Sequence, residues 1–146
     1  MKSLFKCISL LMLIAAPIFL VTVDAHTLQG AIPASKFAVV KWRITCYKPA
    51  AKMVFRLRQL VTKKFSVNLT ITSEGGIPGQ VATTTTKPIK NIWTPISAIE
   101  GGAGVYLLEL IKVGKNANQA VTYSIEDHCE SATNEHTAQS DAVRVR

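Results

Sequence analysis

The chain is short of the residues from which most active sites are assembled. Its 146 residues include three histidines and three cysteines, and they hold no Gly-x-Ser-x-Gly, no His-Glu-x-x-His and no pair of carboxylates placed to share a cleft. Covalent catalysis and the zinc-protease arrangement therefore have no footing in it. Glycines cluster at Gly75-Gly76 and Gly101-Gly102, but the residues after them are polar or strand-forming, so no helix N-terminus is offered to a phosphate. Acidic residues are scarce, nine against seventeen Lys and Arg, and the net charge of +8 favours anionic partners. Of the carboxylates, only Glu109 and Asp127 fall on strand faces expected to be buried. No segment beyond the amino-terminal stretch has a helical period, and there is no internal repeat.

What is present begins with an export signal. Lys2 and Lys6 precede the apolar run Ile8 to Val23, and Val23-Asp24-Ala25 supplies small residues ahead of His26. Residues 1–25 are expected to be cleaved, so that His26 becomes the amino terminus. The apolar run is shorter than the roughly 20 residues that span a bilayer, and no later run is longer, so no transmembrane segment is expected after processing. The destination is periplasmic or extracellular. Two cysteines remain, Cys46 and Cys129, and in an oxidising compartment they are expected to form one disulfide.

The remainder alternates with a two-residue period. Ala38, Val40, Trp42, Ile44 and Cys46 share one face of a strand; Met53, Phe55, Leu57 and Gln59 share another; Val67, Leu69 and Ile71 follow. Gly75 to Gly79 is a dense turn signal, and Gln80 to Thr86 reads as a solvated edge strand. Ile92 to Ile99 reads as a further short strand. Val105 to Val113 is apolar on both faces, and it joins Val121 to Cys129 through the polar Gly114–Asn118, as a closing hairpin would. His26 to Lys36 reads as a lead-in without periodicity. The expectation is an all-β chain: a single antiparallel β-sandwich of about seven strands, jelly-roll or immunoglobulin-like, over residues 26–130, with a loosely ordered tail over 131–146.

Gly104-Val105-Tyr106, a strand, a polar turn and Thr122-Tyr123-Ser124-Ile125 resemble the closing hairpin of bacterial pre-peptidase carboxy-terminal domains. That resemblance implies a small jelly-roll-like sandwich. The layout also resembles small exported proteobacterial proteins, which implies no activity.

The candidate chemistry is metal binding. A processed His26 would offer an amine and an imidazole nitrogen from one residue, a chelate suited to the tetragonal preference of Cu(II). This resembles the histidine brace of periplasmic copper carriers and copper polysaccharide monooxygenases, and that resemblance implies a further histidine from the body of the fold. Only His128 and His136 remain to supply it. The alternatives are plain ones: a terminal residue on a flexible lead-in for His26, a surface residue for His128, and a mobile tail for His136.

The second candidate is a basic strip formed by Lys52, Arg56, Arg58, Lys63 and Lys64, joined by Lys41 and Arg43 from the neighbouring strand. It would bind an anionic surface polymer, unless it is only a solvated strand face. Nucleic acid is not expected as a partner, because the aromatics fall on core faces. The functional expectation is an exported non-enzymatic binding protein holding copper through His26 with His128 or His136. The alternative is a structural or adhesive subunit, a homo-oligomer formed through strand edges such as Gln80 to Thr86.

Overall fold

The two-residue period sets alternate side chains inward on every long strand, and a layer with one apolar face must cover that face with another. The computed structural model describes residues 26–145; residues 1–25, which carry the expected export signal, and Arg146 lie outside the described residues. Ten strands follow one another: β1 (His26–Ile32), β2 (Val39–Cys46), β3 (Lys52–Gln59), β4 (Ser66–Ser73), β5 (Val81–Thr85), β6 (Ser97–Ile99), β7 (Gly104–Val113), β8 (Val121–Glu130), β9 (His136–Thr137) and β10 (Val143–Val145). There is no helix among the described residues.

The chain is doubled back on itself about the β4–β5 turn, so that β1 pairs with β8, β2 with β7, β3 with β6 and β4 with β5. The doubled ribbon then wraps until β8 also meets β3 and β7 also meets β4. Two antiparallel sheets result, β1-β8-β3-β6 with β9 on β8, and β10-β2-β7-β4-β5. A doubled ribbon rolled in this order is a jelly roll, and the fold is the expected all-β sandwich.

Between the sheets lie Val40 and Ile44 from β2, Met53, Phe55 and Leu57 from β3, Val67, Leu69 and Ile71 from β4, Tyr106, Leu108 and Leu110 from β7, and Val121, Tyr123 and Ile125 from β8. The core is dominated by β-branched, leucine and aromatic side chains, which fill a pleated half-buried surface well. Two tyrosines carry their hydroxyls into it with partners. The Tyr106 hydroxyl donates to the Gly102 carbonyl at 2.6 Å, which ties the start of β7 to the corner before it. The Tyr123 hydroxyl accepts the indole N–H of Trp42 at 2.8 Å, linking the sheets. Tyr123 lies over Gly30, its cross-strand partner on β1, where a Cβ would fall 2.5 Å from the hydroxyl oxygen. Glycine at that position is what lets the ring lie down. The expected disulfide is formed: Cys46 at the end of β2 bonds Cys129 on β8, one sheet to the other.

Several expectations are corrected. The Val105–Cys129 stretch is not a hairpin, because β7 and β8 belong to different sheets and Gly114–Ala120 spans the gap between them. Both strands are central, so each finds its partners elsewhere and the period alone cannot tell a hairpin from a crossover. The inward face of β7 is the one with Tyr106, Leu108, Leu110 and Lys112; Glu109 lies on the other face and pairs with Lys41 at 2.8 Å, so it is not a buried carboxylate. His26 to Ile32 is an edge strand paired along its whole length with β8, not a lead-in. Of Ile92–Ile99 only Ser97–Ile99 is a strand; before it the chain follows β3 irregularly, with the Asn91 and Thr94 amides donating to Gln59 and Leu57 carbonyls. The loosely ordered tail is instead held by β9 on β8 and β10 on β2. Two- and three-residue strands are too short for a period to reveal them.

The disulfide closes a loop with a sequence separation of 83. Replacing Cys46 and Cys129 together by alanine is expected to lower the unfolding free energy by about 2–5 kcal/mol. Denaturant titration of the two proteins checks this; an unchanged midpoint would contradict it.

Candidate metal centre

After Glu130 the chain turns back on itself. The Ser131 amide donates to the Glu135 carbonyl and the Asn134 amide to the Ser131 carbonyl. Asn134 sits at φ 63°, a left-handed conformation that asparagine tolerates better than most residues. The Ser131 hydroxyl accepts from the amides of Thr133 and Glu135, so the turn's donors are satisfied locally. The returning chain forms β9, which sets His136 directly opposite Glu130. His128 precedes Glu130 by two positions on β8 and therefore shares its face. One tight turn thus brings together His128, Glu130 and His136, whose ligand atoms lie within 4.8 Å of one another.

The three side chains face outward from the sheet β1-β8-β3-β6. His128 and His136 stack, ring centroids 4.2 Å apart and planes inclined by 10°. The His128 Nε2 is 2.7 Å from Glu130 Oε1, and Lys52 Nζ is 3.2 Å from Glu130 Oε2. Lys52 also donates to the Asn134 side-chain carbonyl, so strand β3 clamps the turn. Burial by itself would raise the Glu130 carboxyl; the hydrogen bonds from His128 and Lys52 outweigh it and hold the group below the usual glutamate range. Glu130 is therefore a carboxylate at neutral pH, with one oxygen turned toward the imidazoles.

A metal ion bound through an imidazole nitrogen lies in the plane of that ring. Two stacked, nearly parallel rings cannot both meet this condition, so capture of an ion by both requires the stack to open. His136 is the exposed member, and it stands on a two-residue strand. Rotation of that ring is the smaller motion. Two imidazoles and a carboxylate then form a three-ligand set open on its solvent side, as in sites that keep a position for water or another ligand.

His26 is not part of this group. It is the cross-strand partner of Asp127, and adjacent residues on β8 point to opposite faces, so His26 and Asp127 lie on the inner side and His128 on the outer. His26 lines a small cavity of about 150 Å³ with Asp127, Gln139 and Asp141 at the sandwich margin. Asp127 is 1% exposed. Its burial pushes the carboxyl up to about 6, against the hydrogen bond that Gln139 donates at 2.6 Å and the attraction of the His26 and His128 rings. Gln139 also accepts the Cys129 amide, so one side chain ties the chain end to the disulfide and to Asp127.

The basic residues are divided as well. Lys41 and Arg43 are on β2 and pair with Glu109 and Glu74; Lys52, Arg56 and Arg58 are on β3, in the other sheet. They face opposite sides of the sandwich and form no single strip. Arg56 pairs with Glu126. Its guanidinium and that of Arg58 lie 4.6 and 4.3 Å from the ring centre of Trp93, a cation–π arrangement that the sequence did not reveal. Lys63 and Lys64 line a separate open depression beside Asn116, Asn118 and Gln119. Glu130 is the other residue the sequence reading missed; its signal was the His-x-Glu spacing of residues 128–130, which puts both on one strand face.

No protein-family model matches the chain, and no curated protein is significantly similar to it.

Asp127 yields a pH prediction. A carboxyl raised from 3.8 to about 6 takes up a proton on folding between those values, so its share of stability grows as pH falls from 7 to 4 and is absent above 6. Asp127→Asn is expected to stabilise the protein at pH 7.5 by about 3 kcal/mol and to make little difference at pH 4. Thermal unfolding of both proteins across that range measures it; a gap independent of pH would contradict the assignment.

Proposed function

We propose that this protein is an exported, non-enzymatic β-sandwich that binds a divalent transition metal, Cu(II) in preference, through His128, Glu130 and His136. The observation that carries the reading is the convergence of two imidazoles and a carboxylate on one outward face, organised by a turn whose hydrogen bonds are satisfied apart from the site. Imidazole and carboxylate donors suit Cu(II) and Zn(II), and Cu(II) heads the affinity order for such sets. Lys52 supports it as an outer partner, holding the Glu130 oxygen that is turned away from His128, and Asn134 in turn accepts from Lys52. The inter-sheet disulfide fits an oxidising compartment. A jelly roll hosts many activities, so nothing of this reading rests on the fold itself.

His26 takes a different role here from the one expected of it. A processed terminus would still offer its chelate, with Asp127 beside it, but on the other side of the sheet from His128. The two sites are therefore separable by experiment. Calorimetric titration of Cu(II) is made with His26→Ala protein, which removes the imidazole of the terminal chelate. One ion per chain is expected, with binding at least about tenfold weaker when His128→Ala or His136→Ala is added. Binding that is lost in His26→Ala, and that survives His128→Ala and His136→Ala when His26 is kept, would move the metal to His26 and refute the reading.

A further inference from the structure

Strand β5 ends its sheet, pairing with β4 on one side only. In the β4–β5 ladder the Thr86 amide donates to the Val67 carbonyl and the Ser73 amide to the Gln80 carbonyl. Hydrogen-bonded positions alternate along an antiparallel pair, so the even-numbered residues of β5 face β4 and the N–H and C=O groups of Val81, Thr83 and Thr85 face away. None of these outward groups hydrogen-bonds to another strand among the described residues; β6 lies beside β5 without pairing with it. The strand also lacks the usual protections of an open edge: it has no charge, no proline and no bulge, and it is built from valine, alanine and threonine. The three other sheet edges differ. β6 and β10 are three residues long, and β1 adjoins residues outside the described part of the chain.

We infer that β5 is a self-association edge, at which a second copy of this chain pairs antiparallel with β5 about a two-fold axis through Thr83. The choice of a second copy rests on self-complementarity. Under that axis Thr83 faces Thr83, and Val81 faces Thr85 of the other copy, so every outward-facing residue meets an outward-facing residue and each pair exchanges both backbone hydrogen bonds. A register shifted by one residue would set outward groups against inward ones. Charge agrees as well. Lys87, the first charged residue after the strand, falls opposite Gly79 of the other copy, so no like charges meet along the ladder.

Exposed apolar residues lie on β5 and in the segments before and after it. β5 and β6 lie against each other, and the connection between them carries exposed Ile89, Ile92 and Ile96. Val81 on the strand and Ile77 in the preceding turn are also more than half exposed. Ile77 and Val81 thus leave apolar surface at the edge itself, whereas Ile96 lies with Arg56 and His128 on the outward face of the other sheet. The inference is independent of the metal site, which stands on β8 and β9.

Sedimentation velocity over a hundredfold concentration range tests it, with Thr83→Lys, Thr83→Glu and an equimolar mixture of the two. Thr83 is exposed, so both substitutions leave the fold intact, which circular dichroism verifies. Wild-type protein is expected to pass from monomer to dimer. Each variant alone is expected to dissociate roughly tenfold more readily, since like charges then face each other at the axis, and the mixture is expected to regain the dimer. Hydrogen exchange on wild type gives a second reading: the amides of Val81, Thr83 and Thr85 gain protection with concentration. A monomer throughout, a dimer indifferent to Thr83→Lys, or amides whose exchange ignores concentration would each overturn the inference.

Discussion

The covalent bond between Cys46 and Cys129 is the constraint on which the candidate metal-binding end of this molecule depends. It joins the last residue of β2 to a central strand of the opposite sheet, and what lies around it is fixed in consequence. His128 and Glu130 flank Cys129 on β8. The chain end folds back over the same place: Gln139 bridges to Cys46 as a ladder partner, accepts the Cys129 amide and donates to Asp127. The Tyr47 amide donates to the Ala138 carbonyl and the Ser140 amide to the Thr45 carbonyl. His136 is held between the turn on one side and this anchored segment on the other, so the covalent tie and the β8–β9 turn together position His128, Glu130 and His136.

The arrangement separates two chemically different environments by the thickness of one strand. On the inner side Asp127 is buried, disfavoured as an anion and held by Gln139. On the outer side Glu130 is kept ionised by His128 and Lys52. Alternation along β8 is what divides them. The same rule explains why His26 does not join the other two histidines as expected: it pairs with a residue of the wrong parity to meet His128.

How much of this could be read from the sequence follows from the length of the elements. Strands β2, β3, β4, β7 and β8 are eight to ten residues long, and their existence was legible from period alone, as were the inward residues of all but β7, the edge character of β5 and the disulfide; β7 is apolar on both faces, so its inward face was taken for the one with Glu109. β1 was missed because His26 and Gly30 interrupt the apolar row that Leu28 and Ile32 form on its inner face, and Gly30 is there to make room for Tyr123. β9 and β10 were missed because two and three residues are too few to show a period, and β10 owes its order to β2, far away in the chain. The pairing of β7 and β8 in different sheets lies beyond any local pattern; it is a property of the rolled ribbon. The ligand set was half legible. His128 and His136 stood out as rare residues, whereas the turn that sets His136 opposite Glu130 depends on a left-handed Asn134 and on the Ser131 hydroxyl.

The measurement that bears most directly on the central claim is a crystal structure of the Cu(II)-loaded protein with anomalous data collected on both sides of the copper edge. The account predicts an anomalous peak between His128, Glu130 and His136, with the two rings no longer stacked. A peak beside His26 and Asp127, or no ordered copper with the rings still stacked, would contradict it.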